Sequence, residues 1–192
     1  MSSLGNIYSL ADLDMQGTYS YADYLSWKFK ERVELLKGRI SKMSPAPSVL
    51  HQRVATELTR QVANFFYKQP CQVFAAPFDV RLLDDDTVVQ PDLCVICDQK
   101  KLDERGCTGA PDLVVEVLSP GNSKKEMKEK FDIYETAGVQ EYWLINPSEA
   151  HALVYVLNEH GKFVGLAPVT EEDAIISKTF PDLKIELAEL FL

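Results

Sequence analysis

The sequence predicts an α/β (α+β) fold in which a mixed sheet is flanked by helices and extended by a C-terminal hairpin. Apolar side chains recur at helical spacing over residues 49–67, which indicates a long amphipathic helix. Residues 123–137 predict a second helix between two apolar strands, 112–119 and 139–147. A helix in that position is typical of one parallel βαβ crossover. The other β-rich runs follow one another without a helix between them, which favours antiparallel pairing.

Length and composition suit one domain over residues 1–192, with residues 1–17 as a loose N-terminal arm. Hydrophobic residues make up 46% of the chain, which is enough for a sizeable core. No apolar run approaches the ~18 residues of a membrane-spanning helix. The N-terminus has neither a basic nor an apolar targeting region, so we expect no membrane association and a cytoplasmic location. The net charge of −9 argues against a broad basic surface and predicts modest, local affinity for nucleic acid.

Two elements are expected before the long helix. Residues 18–30 predict a short helix that is capped near Ser20. Residues 33–43 predict two short strands that join at Lys37 and Gly38, a pair suited to a tight hairpin turn.

Two β-rich runs follow the helix at 49–67. Residues 71–83 predict one strand, with a bulge at Pro77 because proline cannot donate to the ladder. Residues 88–97 predict the next strand, and residues 100–111 predict a loop.

The helix predicted over 123–137 has signals at both ends. Ser123 and Glu126 fit a capping box, and Gly138 suits the residue just beyond the helix. Residues 151–166 then predict the C-terminal hairpin.

Cysteine spacing gives no metal signature. Cys94 and Cys97 form a CxxC inside a predicted strand, where residues three apart face opposite sides. That geometry argues against a shared metal and against a disulfide between these two. Because no second CxxC or histidine pair completes a zinc set, we expect the four cysteines to be buried free thiols. They are Cys71, Cys94, Cys97 and Cys107.

Two carboxylates lie in apolar strand runs. Alternation puts Glu116 on one face with Val114 and Leu118. A carboxylate there must be paired, protonated or bound to a metal, because a lone buried charge is costly; a structural ion pair is the alternative. Asp92 follows Pro91 at the start of another apolar run, where an aspartate facing water is also common. Two carboxylates in neighbouring strands favour a site for a hard cation such as Mg²⁺.

One lysine is expected on the sheet-facing side of the helix at 123–137. A projection at about 100° per residue puts Lys130 in one arc with Tyr134 and Ala137. A nearby carboxylate would explain an inward lysine. The alternative is that the aliphatic chain of Lys130 packs on the apolar face while its ammonium group reaches solvent. We therefore predict that Lys130 points at Glu116.

Glu34 and His51 complete the titratable candidates. Glu34 would be a third acidic group of the site if it faces inward, and a surface strand residue otherwise. His51 lies on the apolar arc of the helix at 49–67, where a core histidine is commoner than a ligand. The chain has no Gly-rich phosphate loop, no GxSxG and no HExxH, which argues against the enzyme classes built on those motifs.

Several segments, in order, resemble the Uma family of restriction-endonuclease-like proteins, within the PD-(D/E)xK nuclease superfamily. They are VELLKGRISKMSPAPSVLH (33–51), VVQPDLCVICD (88–98), RGCTGAPDLVVEVLSP (105–120), EKFDIYETAGVQEYWLINP (129–147) and the terminal FPDLKIELAELF. The resemblance covers nearly the whole chain and implies a helix–three-strand–helix–strand core. Pro91-Asp92 matches the PD element and Glu116 the acidic residue of (D/E)xK. Leu118 stands where the lysine is expected, and the resemblance implies that Lys130 takes its role.

The resemblance also implies a Mg²⁺- or Mn²⁺-dependent endonuclease acting on DNA. Asp92, Glu116 and the backbone carbonyl of Val117 would hold the metal. Lys130 would orient the attacking water or stabilise charge on phosphorus, with Glu34, and His51 as a further accessory group, in support. A homodimer is expected, because two symmetry-related sites can cut both strands of a duplex.

Two alternatives remain open from the sequence. One is a catalytically silent nuclease-like fold that acts as a binding or regulatory module, which Leu118 and the net charge favour. The other is a structural oligomer whose buried charges only pair. Metal binding separates these readings, because the nuclease requires it and the structural protein does not.

Overall fold

The computed structural model describes residues 5–43, 47–83, 85–120 and 124–191. The helices are α1 (Tyr21–Ser26), α2 (Val49–Phe65), α3 (Lys124–Ala137) and α4 (Leu187–Leu190). The strands are β1 (Val33–Leu36), β2 (Arg39–Lys42), β3 (Gln72–Ala75), β4 (Asp79–Leu82), β5 (Thr87–Val89), β6 (Leu93–Ile96), β7 (Leu102–Asp103), β8 (Gly106–Thr108), β9 (Leu113–Val117), β10 (Glu141–Asn146), β11 (His151–Leu157), β12 (Phe163–Gly165), β13 (Val169–Thr170), β14 (Ala174–Ile176) and β15 (Lys184–Glu186).

Within the described ranges, a central sheet has the strand order β12-β11-β10-β9-β6-β3, with β13 also pairing with β11. Strands β9 and β10 are parallel and are joined by α3. The other pairs in this sheet are antiparallel. The predicted mixed sheet, its parallel crossover and the C-terminal hairpin of β11 and β12 are therefore confirmed.

A second sheet, here called the side sheet, has the order β2-β1-β5-β4-β8-β7. It begins with the predicted hairpin, in which Lys37 and Gly38 take positive φ values of 49° and 77°. The loop predicted over 100–111 was wrong in part, because it contains β7 and β8.

Two of the passages between the two sheets fall where the sequence predicts a continuous strand. The single strand predicted over 71–83 is wrong: β3 belongs to the central sheet and β4 to the side sheet, with a cis Ala76–Pro77 bond between them. The strand predicted over 88–97 is likewise two strands, β5 and β6, separated by residues 90–92. Pro77 and Pro91 both lack an amide hydrogen, so each ends a ladder where the chain leaves its sheet.

The helices cover opposite faces of the central sheet. On one face, Val54 and Leu58 of α2 pack in a buried cluster with Val115 and Trp143. On the other face, α3 and the side sheet share a second buried cluster. Its members include Ile133, Tyr134, Val80, Val89, Val114 and Tyr142. Each fully buried aliphatic or aromatic side chain of this kind stabilises the fold by about 1.5–3 kcal/mol. These layers leave the end of β9 between α2 and α3.

The predicted loose N-terminal arm is wrong for residues 5–17. Leu10 and Leu13 are buried in a third cluster with Trp27 and with Val88 of the side sheet. The arm is ordered because its leucines cover an apolar surface of that sheet.

Local signals fix the helix ends. The predicted cap at Ser20 is confirmed as a capping box with Asp23. At α2, the Ser48 hydroxyl accepts a hydrogen bond from the backbone of His51. Gly138 follows α3 with a φ of 87°, as predicted, whereas the predicted cap at Ser123 lies outside the described residues.

The cysteine prediction is partly wrong. Cys71 and Cys97 form a disulfide, because β3 and β6 pair in a register that puts Cys71 opposite Cys97 just beyond the strand ends. Cys94 and Cys107 are free and buried, as predicted. No helix in the described parts of the chain is long and apolar enough to span a membrane.

Candidate active site

A cleft of about 320 Å³ opens at the end of β9, between the N-terminus of α2 and the middle of α3. Among its lining residues are Asp92, Glu116, Val117, Lys130 and His51. A larger groove of about 850 Å³ lies beside α2 and α4, but it is shallow and its ionic groups are surface side chains such as Arg53 and Glu57. The smaller cleft, with its buried charges, is therefore the candidate site.

Lys130 binds two carboxylates from two different sheets. Its Nζ lies 2.9 Å from Glu116 Oε1 in β9 and 2.9 Å from Glu34 Oε1 in β1. Lys130 and Glu34 are 7% and 1% exposed, and the Glu116 side chain is 12% exposed. The prediction that Lys130 points at Glu116 is confirmed, and Glu34 faces inward rather than to the surface.

Glu116 Oε1 has a second donor that the sequence did not reveal. The hydroxyl of Tyr134 donates to this oxygen at 2.6 Å. Tyr134 is fully buried and follows Lys130 by four residues, so both side chains leave the same face of α3. Its ring packs against Tyr142 of β10 at 5.1 Å between centroids, which fixes the hydroxyl in position.

Asp92 lies in the segment before β6 rather than within a strand, and its Oδ2 is fixed by two donors. The backbone amide of Val117 donates to Oδ2 at 2.8 Å. His51 Nε2 lies 3.3 Å from the same oxygen. A carboxylate can only accept, so Nε2 carries the hydrogen of this pair. His51 is 7% exposed, so it is both a core residue and a partner of Asp92.

The pKa values of the site reflect burial and crowding of charge. Burial raises the pKa of Glu116 to about 7, and the charges of Asp92 and Glu34 add to this effect while Lys130 opposes it. Burial alone would lower the pKa of Lys130, but Glu116 and Glu34 more than offset it, so its pKa is raised and the amine stays protonated. The hydrogen bond to Asp92 raises the pKa of His51 against the opposing effect of burial.

The donor set fits a hard divalent cation. Within the described residues, one oxygen of each carboxylate, Asp92 Oδ1 and Glu116 Oε2, has no protein hydrogen-bond partner. The carbonyl of Val117 lies on the same strand edge as its amide, which faces Asp92. No group of three or more His, Cys, Asp or Glu side chains in the described ranges is arranged to hold a metal ion. Two carboxylates and a carbonyl still suit Mg²⁺, which keeps several waters and binds substrate phosphate.

The structure brings the predicted residues Asp92, Glu116, Val117, Lys130 and Glu34 to one place. Leu118, at the position where the resemblance would put a lysine, packs at the edge of the apolar cluster below α3. A residue that sequence reasoning missed is Gln90, whose backbone amide donates to Glu34 Oε1 at 2.7 Å. Tyr134 was placed on the sheet-facing side of the helix without a role in the site; its spacing of four residues from an inward lysine was the available signal.

Comparisons with known proteins identify a family and a fold. The model of the family described as "Uma2: Putative restriction endonuclease" matches residues 21–188. An uncharacterised protein of Synechocystis sp. (strain PCC 6803) is 25% identical over 145 residues, which cover 74% of this chain and 76% of that protein. A crystal structure described as "a putative nuclease belonging to DUF820", from Anabaena variabilis ATCC 29413, superposes with a TM-score of 0.73. It is 20% identical and covers 90% of this chain and 97% of its own, so this likeness shows the fold, and the predicted fold class is confirmed.

Proposed function

The chain belongs to the Uma2 family, and from this premise we propose that it is a metal-dependent endonuclease that hydrolyses phosphodiester bonds in DNA. One observation carries the proposal: two carboxylates line one cleft at the end of β9, and each has one oxygen fixed by the protein and one that forms no hydrogen bond within the described residues. Three carboxylates, Glu34, Asp92 and Glu116, lie around the single ammonium group of Lys130, and a divalent cation would balance this excess of acidic groups.

Asp92 Oδ1, Glu116 Oε2 and the carbonyl of Val117 would hold Mg²⁺ or Mn²⁺. The chemistry that such a cation would supply is polarisation of the scissile phosphate and a lower pKa for a bound water molecule. His51 and the amide of Val117 keep Asp92 in one rotamer through Oδ2, while Lys130 and Tyr134 do the same for Glu116 through Oε1. Fixed ligands of this kind lose little conformational freedom when the cation binds.

Lys130 would act on the substrate side of the site. An ammonium group has three hydrogens, and two of them are directed at Glu34 and Glu116. No third acceptor pairs with Nζ within the described residues and Lys130 lines the cleft, so the third hydrogen would orient the attacking water or stabilise charge that develops on phosphorus. Glu34 holds the lysine in this position, so its role is positioning.

The test is plasmid nicking with Mn²⁺ by the wild type and by Asp92→Asn, Glu116→Ala and Lys130→Met at matched purity. Loss of a metal ligand removes several kcal/mol of transition-state stabilisation, so we expect a fall of about a hundredfold or more in the first two variants. Glu141→Gln is the control, because Glu141 is a fully buried carboxylate that binds Ser177 and Trp143 away from the cleft. Nicking that persists in Glu116→Ala would come from a contaminant and would end the assignment.

A catalytically silent binding or regulatory module is the second candidate. The observation that favours it is the pairing of Lys130 with both Glu34 and Glu116, which a purely structural ion network would also require. This candidate predicts DNA binding without nicking in any divalent metal.

We further propose a homodimer in the cytoplasm as the working form. Two symmetry-related clefts would allow cleavage of both strands, and sedimentation equilibrium tests this. The Cys71–Cys97 bond is of a kind that is rare in reducing compartments. Thiol labelling of the protein inside intact cells therefore tests the location directly.

A further inference from the structure

Arg32 is a cation at the mouth of the cleft that the proposed chemistry does not use. It directly precedes β1 and lines both the cleft and a neighbouring groove of about 350 Å³. Among the ion pairs of the described residues, none includes Arg32. Within these residues, its guanidinium therefore forms no ion pair with a carboxylate.

A neutral side chain holds the guanidinium of Arg32 in place. Its Nε and Nη2 donate to Gln90 Oε1 at 3.1 and 2.9 Å. Gln90 is itself fixed, because its Nε2 donates to Asp79 Oδ1 at 2.8 Å and its backbone amide donates to Glu34 at 2.7 Å. Since Gln90 lies two residues before Asp92, the position of the guanidinium is tied to that of the metal-binding carboxylates.

The remaining donors of Arg32 suit a phosphate. A guanidinium has five N–H donors, and two are used on Gln90, so three remain. Its planar fork matches the oxygens of a phosphodiester better than an ammonium does. The adjoining groove is lined by Lys28 and Lys30 as well as by Glu31 and Asp79, so with Arg32 its cations outnumber its carboxylates in a chain whose net charge is −9.

We propose that Arg32, oriented by Gln90, binds a phosphodiester group next to the scissile one, and that the nucleic-acid strand leaves the cleft along the groove lined by Lys28 and Lys30. This inference rests on the proposed function and adds the direction in which the substrate strand runs. It makes Arg32 a substrate-binding residue that does not contribute to the metal site.

The test measures binding of a short fluorescein-labelled DNA duplex by fluorescence anisotropy, with Ca²⁺ replacing Mg²⁺ and at several salt concentrations. Loss of a charge-assisted contact in Arg32→Gln is expected to raise Kd by about tenfold or more. It should also reduce the slope of log K against log salt by about 0.9, the value for one phosphate. Gln90→Ala keeps the charge but loses its orientation, so Kd should rise less and the slope should stay unchanged.

Arg60→Gln is the matched control, because it changes the net charge equally at a site on α2 where Arg60 already pairs with Glu57. The inference is overturned if Arg32→Gln binds the duplex as tightly as the wild type does, or if Arg60→Gln loses as much duplex affinity as Arg32→Gln. It is also overturned if the wild type does not bind the duplex. Unchanged Mn²⁺ affinity in Arg32→Gln would exclude unfolding as the cause of its weaker DNA binding. Failure of this inference is distinguishable from failure of the proposed function: a wild type that binds through Arg32 but never nicks ends only the nuclease assignment.

Discussion

Replacing Lys130 with methionine removes the ammonium group that lies between two buried carboxylates. The Lys130 ammonium lies 2.9 Å from each of Glu34 and Glu116. The exposed fractions of the side chains are 8% for Lys130, 1% for Glu34 and 12% for Glu116. Breaking a buried ion pair costs about 3–5 kcal/mol, because it leaves a charge without a partner. Here one substitution breaks two pairs that share a cation. We therefore expect the free energy of unfolding to fall by about 5 kcal/mol at pH 8, near the upper end of that range.

The decrease in the free energy of unfolding caused by Lys130→Met should be smaller at pH 6 than at pH 8. Burial raises the pKa of Glu116 to about 7 even with Lys130 opposing it, and without Lys130 the pKa rises further. A raised pKa means that the native state holds a proton that the unfolded state releases, so stability increases as the pH falls through the folded value. At pH 6 a proton on Glu116 therefore neutralises this carboxylate in the variant, which restores part of the free energy of unfolding that Lys130 contributes in the wild type.

The assay is urea unfolding of the metal-free protein at both pH values. Lys162→Met is the control, because Lys162 pairs with Glu135 at 2.8 Å but is 69% exposed. An exposed pair of this kind contributes about 0–1 kcal/mol. The reasoning is refuted if Lys130→Met is no more destabilised at pH 8 than Lys162→Met, or if its loss does not shrink at pH 6.

Three further predictions concern the same core. Mn²⁺ affinity, measured by calorimetry, should fall about tenfold for each pH unit below about 7, because a proton competes with the cation for Glu116; a flat profile from pH 5 to 8 would contradict this. Tyr134→Phe should lower the free energy of unfolding by about 1.5–3 kcal/mol, since a buried hydrogen bond to a charged group is lost, and an unchanged urea midpoint would count against that bond. The denatured, unreduced protein should give two thiols, Cys94 and Cys107, in an Ellman titration, whereas four would show that the disulfide is absent.

Elements with a local cause could be predicted from the sequence. The hairpin at Lys37 and Gly38 depends on a two-residue turn in which both residues take positive φ, a conformation that Gly38 adopts without a Cβ clash. The inward position of Lys130 depends only on helical geometry, and the parallel pairing of β9 with β10 depends on the helix between them.

The points at which the chain passes from one sheet to the other within residues 71–83 and 88–97 could not be predicted in the same way. An apolar run over 71–83 or 88–97 is compatible with one strand or with two, because periodicity does not say which neighbour a strand pairs with. The disulfide partner of Cys97 depends on the register of β3 against β6, a long-range pairing that leaves no mark in local sequence. Gln90 was missed for the same reason, since its partners Glu34 and Arg32 are more than fifty residues away in the chain.

The helical position of the lysine determines what it can hold. A lysine at position 118 would start just after the end of β9, two residues from Glu116 and about 7 Å along the chain. Lys130 instead extends from α3 and joins Glu116 of the central sheet to Glu34 of the side sheet, while Leu118 packs under α3. Two of its three hydrogens serve this link, and under the proposed function the third would act at the cleft, so structural and chemical roles would belong to different hydrogens of one group. Loss of stability in Lys130→Met therefore cannot by itself identify a catalytic role, and nicking has to be compared with unfolding on the same variant.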